Sequence, residues 1–128
     1  MTLEILLTWL VAFALTYTLE AAVYQLPLTA SSQTKSRRQR LLDCLMINAC
    51  THPFVFLVLP LLLDESAPTY VIVAEVFAII AEAFFLAKFG YQKPWLLSVT
   101  ANVVSWLFGS WLLYGVLLAA GSGFRFLT

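Results

Sequence analysis

Residues 69–89 read TYVIVAEVFAIIAEAFFLAKF, from Thr69 to Phe89. Apart from Glu75, Glu82 and Lys88, no residue in these twenty-one is charged. A membrane-crossing helix needs about 20 mostly apolar residues. The run is too long for a strand and shows no period-two alternation. It therefore predicts a transmembrane helix. Three more runs of the same kind surround it: Leu3 to Leu26, Leu41 to Leu63 and Trp95 to Leu118. The stretches between them, Pro27–Arg40, Asp64–Pro68 and Gly90–Pro94, carry the Pro, Gly, Ser and charged residues that interrupt helices. Connections this short make neighbouring helices antiparallel. The expected fold is an all-α integral membrane protein: one domain, residues 1–128, with four transmembrane helices in an up-down bundle.

Composition agrees. The chain has 128 residues, of which 62% are hydrophobic and 11% charged. Soluble domains are about a quarter charged and under half apolar. A domain of this size cannot hide so much apolar surface from water. That excludes a soluble globular enzyme, a disordered chain, a disulfide scaffold and a nucleic-acid binder. Cys44 and Cys50 are six residues apart in one run, so on a helix they point in different directions and are expected to stay reduced. The amino end, Met1-Thr2-Leu3-Glu4, has no basic residue, and the apolar run after it is longer than a signal peptide's. It is expected to be a span.

Lys and Arg set the expected orientation. Lys35, Arg37, Arg38, Arg40, Lys88 and Lys93 fall on one side, and Arg125 falls on the other with Glu4, Asp64 and Glu65. Both termini are expected to face outward, and the basic loop 31–40 to face the cytoplasm and anionic lipid. Asp43, just inside that boundary, is expected to pair with Arg40 or to reach water.

The informative residues are the polar ones inside the spans. Glu20-Ala21 near the end of the first span is followed by Asn48-x-x-Thr51 early in the second. Glu82-Ala83 in the third is followed by Asn102-x-x-Ser105 in the fourth. At 1.5 Å per residue, all four Glu and Asn lie roughly 8 to 14 Å below the basic surface. The match suggests a parallel duplication of a two-helix hairpin, an arrangement that places sites at the repeat interface.

A carboxyl at membrane depth must face water, find partners or be neutralised. Glu75 and Glu82, seven apart, lie nearly on one helix face. With Glu20 they form a group able to share protons or hold a cation. Alternatively, each is simply hydrogen-bonded to an Asn or Ser as interhelical glue. His52, the chain's only histidine, follows Asn48 by four residues. It could relay protons, or ligate a metal with Glu75 or Glu82. Pro53 and Pro60 are expected to free the carbonyls of Ala49 and Phe56 and to kink the second helix. Ser98, Asn102, Ser105 and Gly109 form one small and polar stripe. The two halves differ: Phe13 stands at the counterpart of Glu75, and Trp106-Leu107 at that of His52-Pro53.

Asn48-Ala-Cys-Thr51-His52-Pro53, Glu75-x6-Glu82-Ala83 and Ser98-x3-Asn102-x2-Ser105-x3-Gly109 resemble a pattern in small four-span bacterial membrane proteins of unassigned function. The resemblance implies a bacterial inner-membrane protein and no activity. Three functions fit the residues. In the first, the chain is a proton- or cation-coupled transporter or ion-binding protein, with Glu20, Glu75, Glu82, His52, Asn48, Asn102, Thr51 and Ser105 as its site. It would need no cofactor beyond a bound cation, and would work as a homo-oligomer in the bilayer. In the second, it is a non-catalytic accessory or structural subunit of a larger membrane complex. The third, a metal-dependent enzyme, ranks last, because no second histidine or nucleophile constellation accompanies His52.

Overall fold

The computed structural model describes residues 3–28, 34–64 and 68–119. Residues 31–33 of the basic connection, Glu65 and Arg125 lie outside them. The described residues form four long helices and no strand. We number them α1 (Leu3–Gln25), α2 (Arg37–Leu62), α3 (Pro68–Lys88) and α4 (Pro94–Ala119). Each is long and apolar enough to cross a membrane. Cys44 and Cys50 are both free thiols.

Helix α2 begins before its apolar run does, and its cap explains why. The Ser36 hydroxyl accepts from the Gln39 amide at 3.2 Å, and the Gln39 side chain accepts from the Ser36 amide at 2.9 Å. This reciprocal capping box fixes the first turn on polar residues alone. Further along, α2 widens into a π-helical turn at Phe54–Val58, where the Leu59 amide bonds the Phe54 carbonyl. The π register changes which carbonyl Pro60 leaves without a donor. In an α-helix it would be Phe56; one residue of widening moves it to Val55. The Tyr70 hydroxyl of α3 donates to the Val55 carbonyl at 2.9 Å. The orphan expected at Phe56 is thus found at Val55, and a neighbouring helix satisfies it.

Helix α3 ends on Gly90, whose φ of +79° is left-handed. The Gly90 amide bonds the Ala87 carbonyl at 3.1 Å and the Tyr91 amide bonds the Leu86 carbonyl at 2.9 Å. That double closure needs a left-handed residue, which glycine supplies without a Cβ penalty. It also turns Tyr91 back over the bundle.

The basic connections gather at one end. Arg40 donates to the Gln25 side chain at 3.2 and 3.0 Å, tying α2 to the end of α1. Asp43 accepts from Lys35 at 2.7 Å and from the Tyr91 hydroxyl at 2.9 Å. Lys35 also stands 4.4 Å from the centre of the Tyr91 ring. Asp43 therefore pairs with Lys35 rather than Arg40, because the Arg40 guanidinium is spent on Gln25 and the Lys35 carbonyl. The core lies just beneath: Ala21, Val23, Tyr24, Cys44, Ile47, Leu86, Leu97 and Ala101. Elsewhere large apolar side chains face outward, Leu61 at 82% exposed and Trp111 at 75%. Water would penalise that surface and lipid would not.

Two outcomes test this architecture. Tyr70→Phe leaves the Val55 carbonyl without its donor, and the expected loss is about 1–2 kcal/mol in detergent-titrated unfolding. The second concerns Tyr91, in the connection between α3 and α4. Burial, then the bond and charge of Asp43, hold its hydroxyl above the ordinary value of 10.0. A raised value in the folded state means stability that is complete below 10.0 and lost as pH climbs through the folded value. Thermal unfolding followed into the alkaline range should show that decline, and Tyr91→Phe should reduce it.

Candidate functional site

Glu20 on α1 is 1% exposed and Glu82 on α3 is 2% exposed. Both lie in the packed end of the bundle, and neither is left without partners. The Asn48 side-chain amide, on α2, donates to Glu20 Oε2 at 2.6 Å and to the Cys44 carbonyl one turn back at 3.1 Å. The Asn102 amide, on α4, donates to Glu82 Oε2 at 2.5 Å and to the Ser98 carbonyl one turn back at 3.0 Å. Each asparagine so uses both of its amide protons. Each also lies beside the side chain four residues before it, Cys44 Sγ at 3.6 Å and Ser98 Oγ at 3.5 Å. The two contacts are built alike.

Ser105 joins them. Its hydroxyl lies 3.0 Å from Glu20 Oε1 and 3.1 Å from the Asn102 carbonyl. One hydroxyl has one proton, so Ser105 can donate to only one of these acceptors at a time. The resulting network touches all four helices through five side chains. Among the described residues, no Lys, Arg or His donates to either carboxyl. The inward face of α4 carries the network: Ser98, Asn102 and Ser105 are buried, and Gly109 faces Leu19 of α1. A Cβ at Gly109 would make ordinary contact, 3.6 Å from the Leu19 side chain.

Three of the residues expected in the site stand apart from these bonds. Thr51 is buried but donates to the Ile47 carbonyl of its own helix at 3.1 Å. Glu75, half-buried on α3, feels the charge of Glu20 but shares none of the network's hydrogen bonds. His52 lies among aromatic rings: Phe13 edge-on at 5.4 Å, Phe56 stacked at 6.2 Å and Trp9 tilted at 6.5 Å between centroids. Its Nδ1 and the Trp9 Nε1 are both buried without a partner. Among the described residues, no three His, Cys, Asp or Glu side chains come together to hold a metal.

Sequence reasoning missed Tyr24. It is wholly buried and its hydroxyl has no partner among the described residues. Leaving such a group unpaired costs about 1–3 kcal/mol. Its position four residues after Glu20 puts it on the same helix face, and that spacing was the available signal. Cys44 and Ser98 were also missed as the matched residues one turn before each asparagine.

Comparisons with models of protein families, with curated proteins and with solved structures find no match.

The shared acceptor predicts a particular energetic pattern. Asn48→Ala and Ser105→Ala both strip donors from Glu20, so their costs should not add. A double-mutant cycle in detergent-titrated unfolding should give a coupling of about 0.5–1.5 kcal/mol. Thr51→Val, outside the network, should combine additively with either.

Proposed function

We propose that the chain is a multi-pass membrane protein whose buried carboxyl pair, Glu20 and Glu82, takes up and releases a proton or a cation. It works as a proton- or cation-coupled transporter or an ion-binding membrane protein. One observation carries this reading. The two carboxyls are linked through Asn102 and Ser105, and among the described residues no basic side chain donates to either. A carboxylate at membrane depth is costly, by about 2.5–3.5 kcal/mol even on insertion scales, and something positive must balance it. Ser105 gives the pair two arrangements. With Glu20 ionised, Ser105 donates to it. With a proton on Glu20, that proton points to the serine oxygen and Ser105 turns to the Asn102 carbonyl. Asn48 and Asn102 orient the carboxyls. Glu75, Thr51 and His52 continue the row of polar groups towards the opposite end.

Further features belong to the same proposal. The hairpins α1–α2 and α3–α4 are parallel copies, supported by the matched Asn–Glu bonds. The basic end faces the cytoplasm of a bacterium and both termini face outward, supported by six of the seven Lys and Arg falling at that end. Four helices leave a narrow path, so the working form is a homo-oligomer in the bilayer. The alternative, an accessory subunit of a membrane complex, draws on a different observation. No amide or carboxyl atom of the network is left buried and unpaired, as pure packing would require.

Purified protein in lipid vesicles with an internal pH indicator separates the two. Under an imposed membrane potential, we expect proton or cation uptake that falls by about tenfold or more in Glu82→Gln, with unfolding changed by less than about 1 kcal/mol. Uptake unchanged by Glu82→Gln overturns the carboxyl assignment. Absence of uptake, with a large loss of stability or assembly in the variant, favours the accessory subunit.

A further inference from the structure

Among the described residues, the Tyr24 hydroxyl and the neighbouring Gln25 Nε2 are the buried polar atoms that the packed end leaves without a partner. The side chain is 0% exposed and the hydroxyl has no hydrogen-bond partner among the described residues. Its ring is fixed edge-to-face against Tyr91, 6.1 Å between centroids. The ionisable groups acting on the hydroxyl come from each surrounding element. Glu82 on α3 acts most strongly, then Cys44 on α2, Glu20 on α1 and Tyr91 from the α3–α4 connection. Buried phenol hydroxyls normally find a partner. A water can supply one where two to four polar neighbours surround it.

The other side of Tyr24 leads outward. Tyr91, whose ring it touches, donates to Asp43 at 2.9 Å, and Asp43 is held by Lys35 at 2.7 Å. Asp43 and Lys35 are partly exposed at the basic end. Asp43 and Tyr91 thus lead from that surface to the Tyr24 ring, and Tyr24 stands one helical turn after Glu20 and within the influence of Glu82. His52 lies on no part of this run. Its ring neighbours are Trp9, Phe13 and Phe56.

We propose that Tyr24 is the gateway through which the Glu20–Glu82 pair exchanges protons with water at the basic end, a water at its hydroxyl completing the link. The proposal rests on the proton-binding reading above. The transfer is concerted. The Tyr24 oxygen accepts a proton arriving from the surface side as its own proton passes through the water to a carboxylate oxygen. Only O–H bonds form and break. The phenol is neutral before and after, and one proton has moved inward. Tyr24 is a conducting residue here, and its ring alone does the packing.

Tyr24→Phe keeps the ring and removes the hydroxyl, so it separates the two roles. The full chain in lipid vesicles is moved rapidly from H2O to D2O while the infrared band of protonated carboxyl groups is followed. Its assignment comes from the part of the band that Glu20→Gln or Glu82→Gln removes. In the wild type that part should shift promptly on deuteration. In Tyr24→Phe the shift should slow by about tenfold or more, at an unchanged or raised unfolding temperature. Equal rates in wild type and Tyr24→Phe overturn the gateway and leave the proton-binding pair intact. Slowing by His52→Ala but not by Tyr24→Phe also overturns it, by placing the entry at the opposite end. No carboxyl band removable by either Gln variant, at any pH tested, overturns the proton-binding reading itself. Should Tyr24→Phe fail to fold, Asp43→Asn probes the same route at its outer end, and an unslowed exchange there overturns the proposal.

Discussion

Among the described residues, Glu20 is the one carboxyl that takes donors from two different helices on its two oxygens. Asn48 of α2 occupies Oε2 and Ser105 of α4 occupies Oε1. In an apolar solvent, leucine and valine faces gain little by choosing one helix over another, and small residues and polar bonds decide which helices meet and in what register. The hairpin contact of α1 with α2 and the contact of α1 with α4 both pass through this one side chain. The inward stripe of α4, from Ser98 to Gly109, faces α1, where Gly109 meets the Leu19 side chain. A shift of α4 by four residues would put Ala101 or Gly109 in the place of Ser105, and Glu20 would lose one of its two donors.

The bundle is consequently graded along its length. Its basic end is dense with specific bonds: the Ser36–Gln39 cap, the glycine closure at Gly90, and the Lys35–Asp43–Tyr91 cluster. The network lies immediately below. The opposite end has few buried side chains, Leu59 and Ala74 among them, and its order comes from backbone accounting instead. Pro60 takes a donor from α2, the π turn shifts the deficit to Val55, and Tyr70 answers it. Rigid packing at one end and a helix with wider backbone geometry at the other is a distribution in which the second end yields first.

What the sequence made legible follows from how local each cause is. Four apolar runs of the right length are visible residue by residue, and the structure has four helices there. The Asn–Glu contacts were legible because the same spacing occurs twice. The position of the orphan carbonyl was not, since a change from α to π register depends on how α2 meets α3 and not on where Pro60 stands. The partner of Asp43 was not either. Lys35 reaches it from a connection, and Tyr91 arrives only because Gly90 turns the chain back. Tyr24 was not singled out, because only burial distinguishes a phenol whose hydroxyl lacks a partner from one at an interface. His52 was expected near carboxyls because it shares a helix with Asn48, but one further residue of turn points its ring towards Phe13 and Trp9 of α1 instead.

Whether the carboxyls are packing elements or working groups can be weighed at each position. Glu20 needs two acceptor oxygens, one for Asn48 and one for Ser105, and a glutamine would supply one. Its acidity is therefore explained by hydrogen bonding alone. Glu82 takes Asn102 on its Oε2 and has the Ser98 hydroxyl as a second neighbour, one that also donates to the Ile79 carbonyl at 2.9 Å. Neither is a cation, and among the described residues no basic side chain donates to Glu82, so a carboxylate there bears the cost of burial uncompensated. The acid is also the group closest in influence to the unpaired Tyr24 hydroxyl. In the proposed function Glu82 is thus the position assigned to the proton or cation, while Glu20 holds the helices around it.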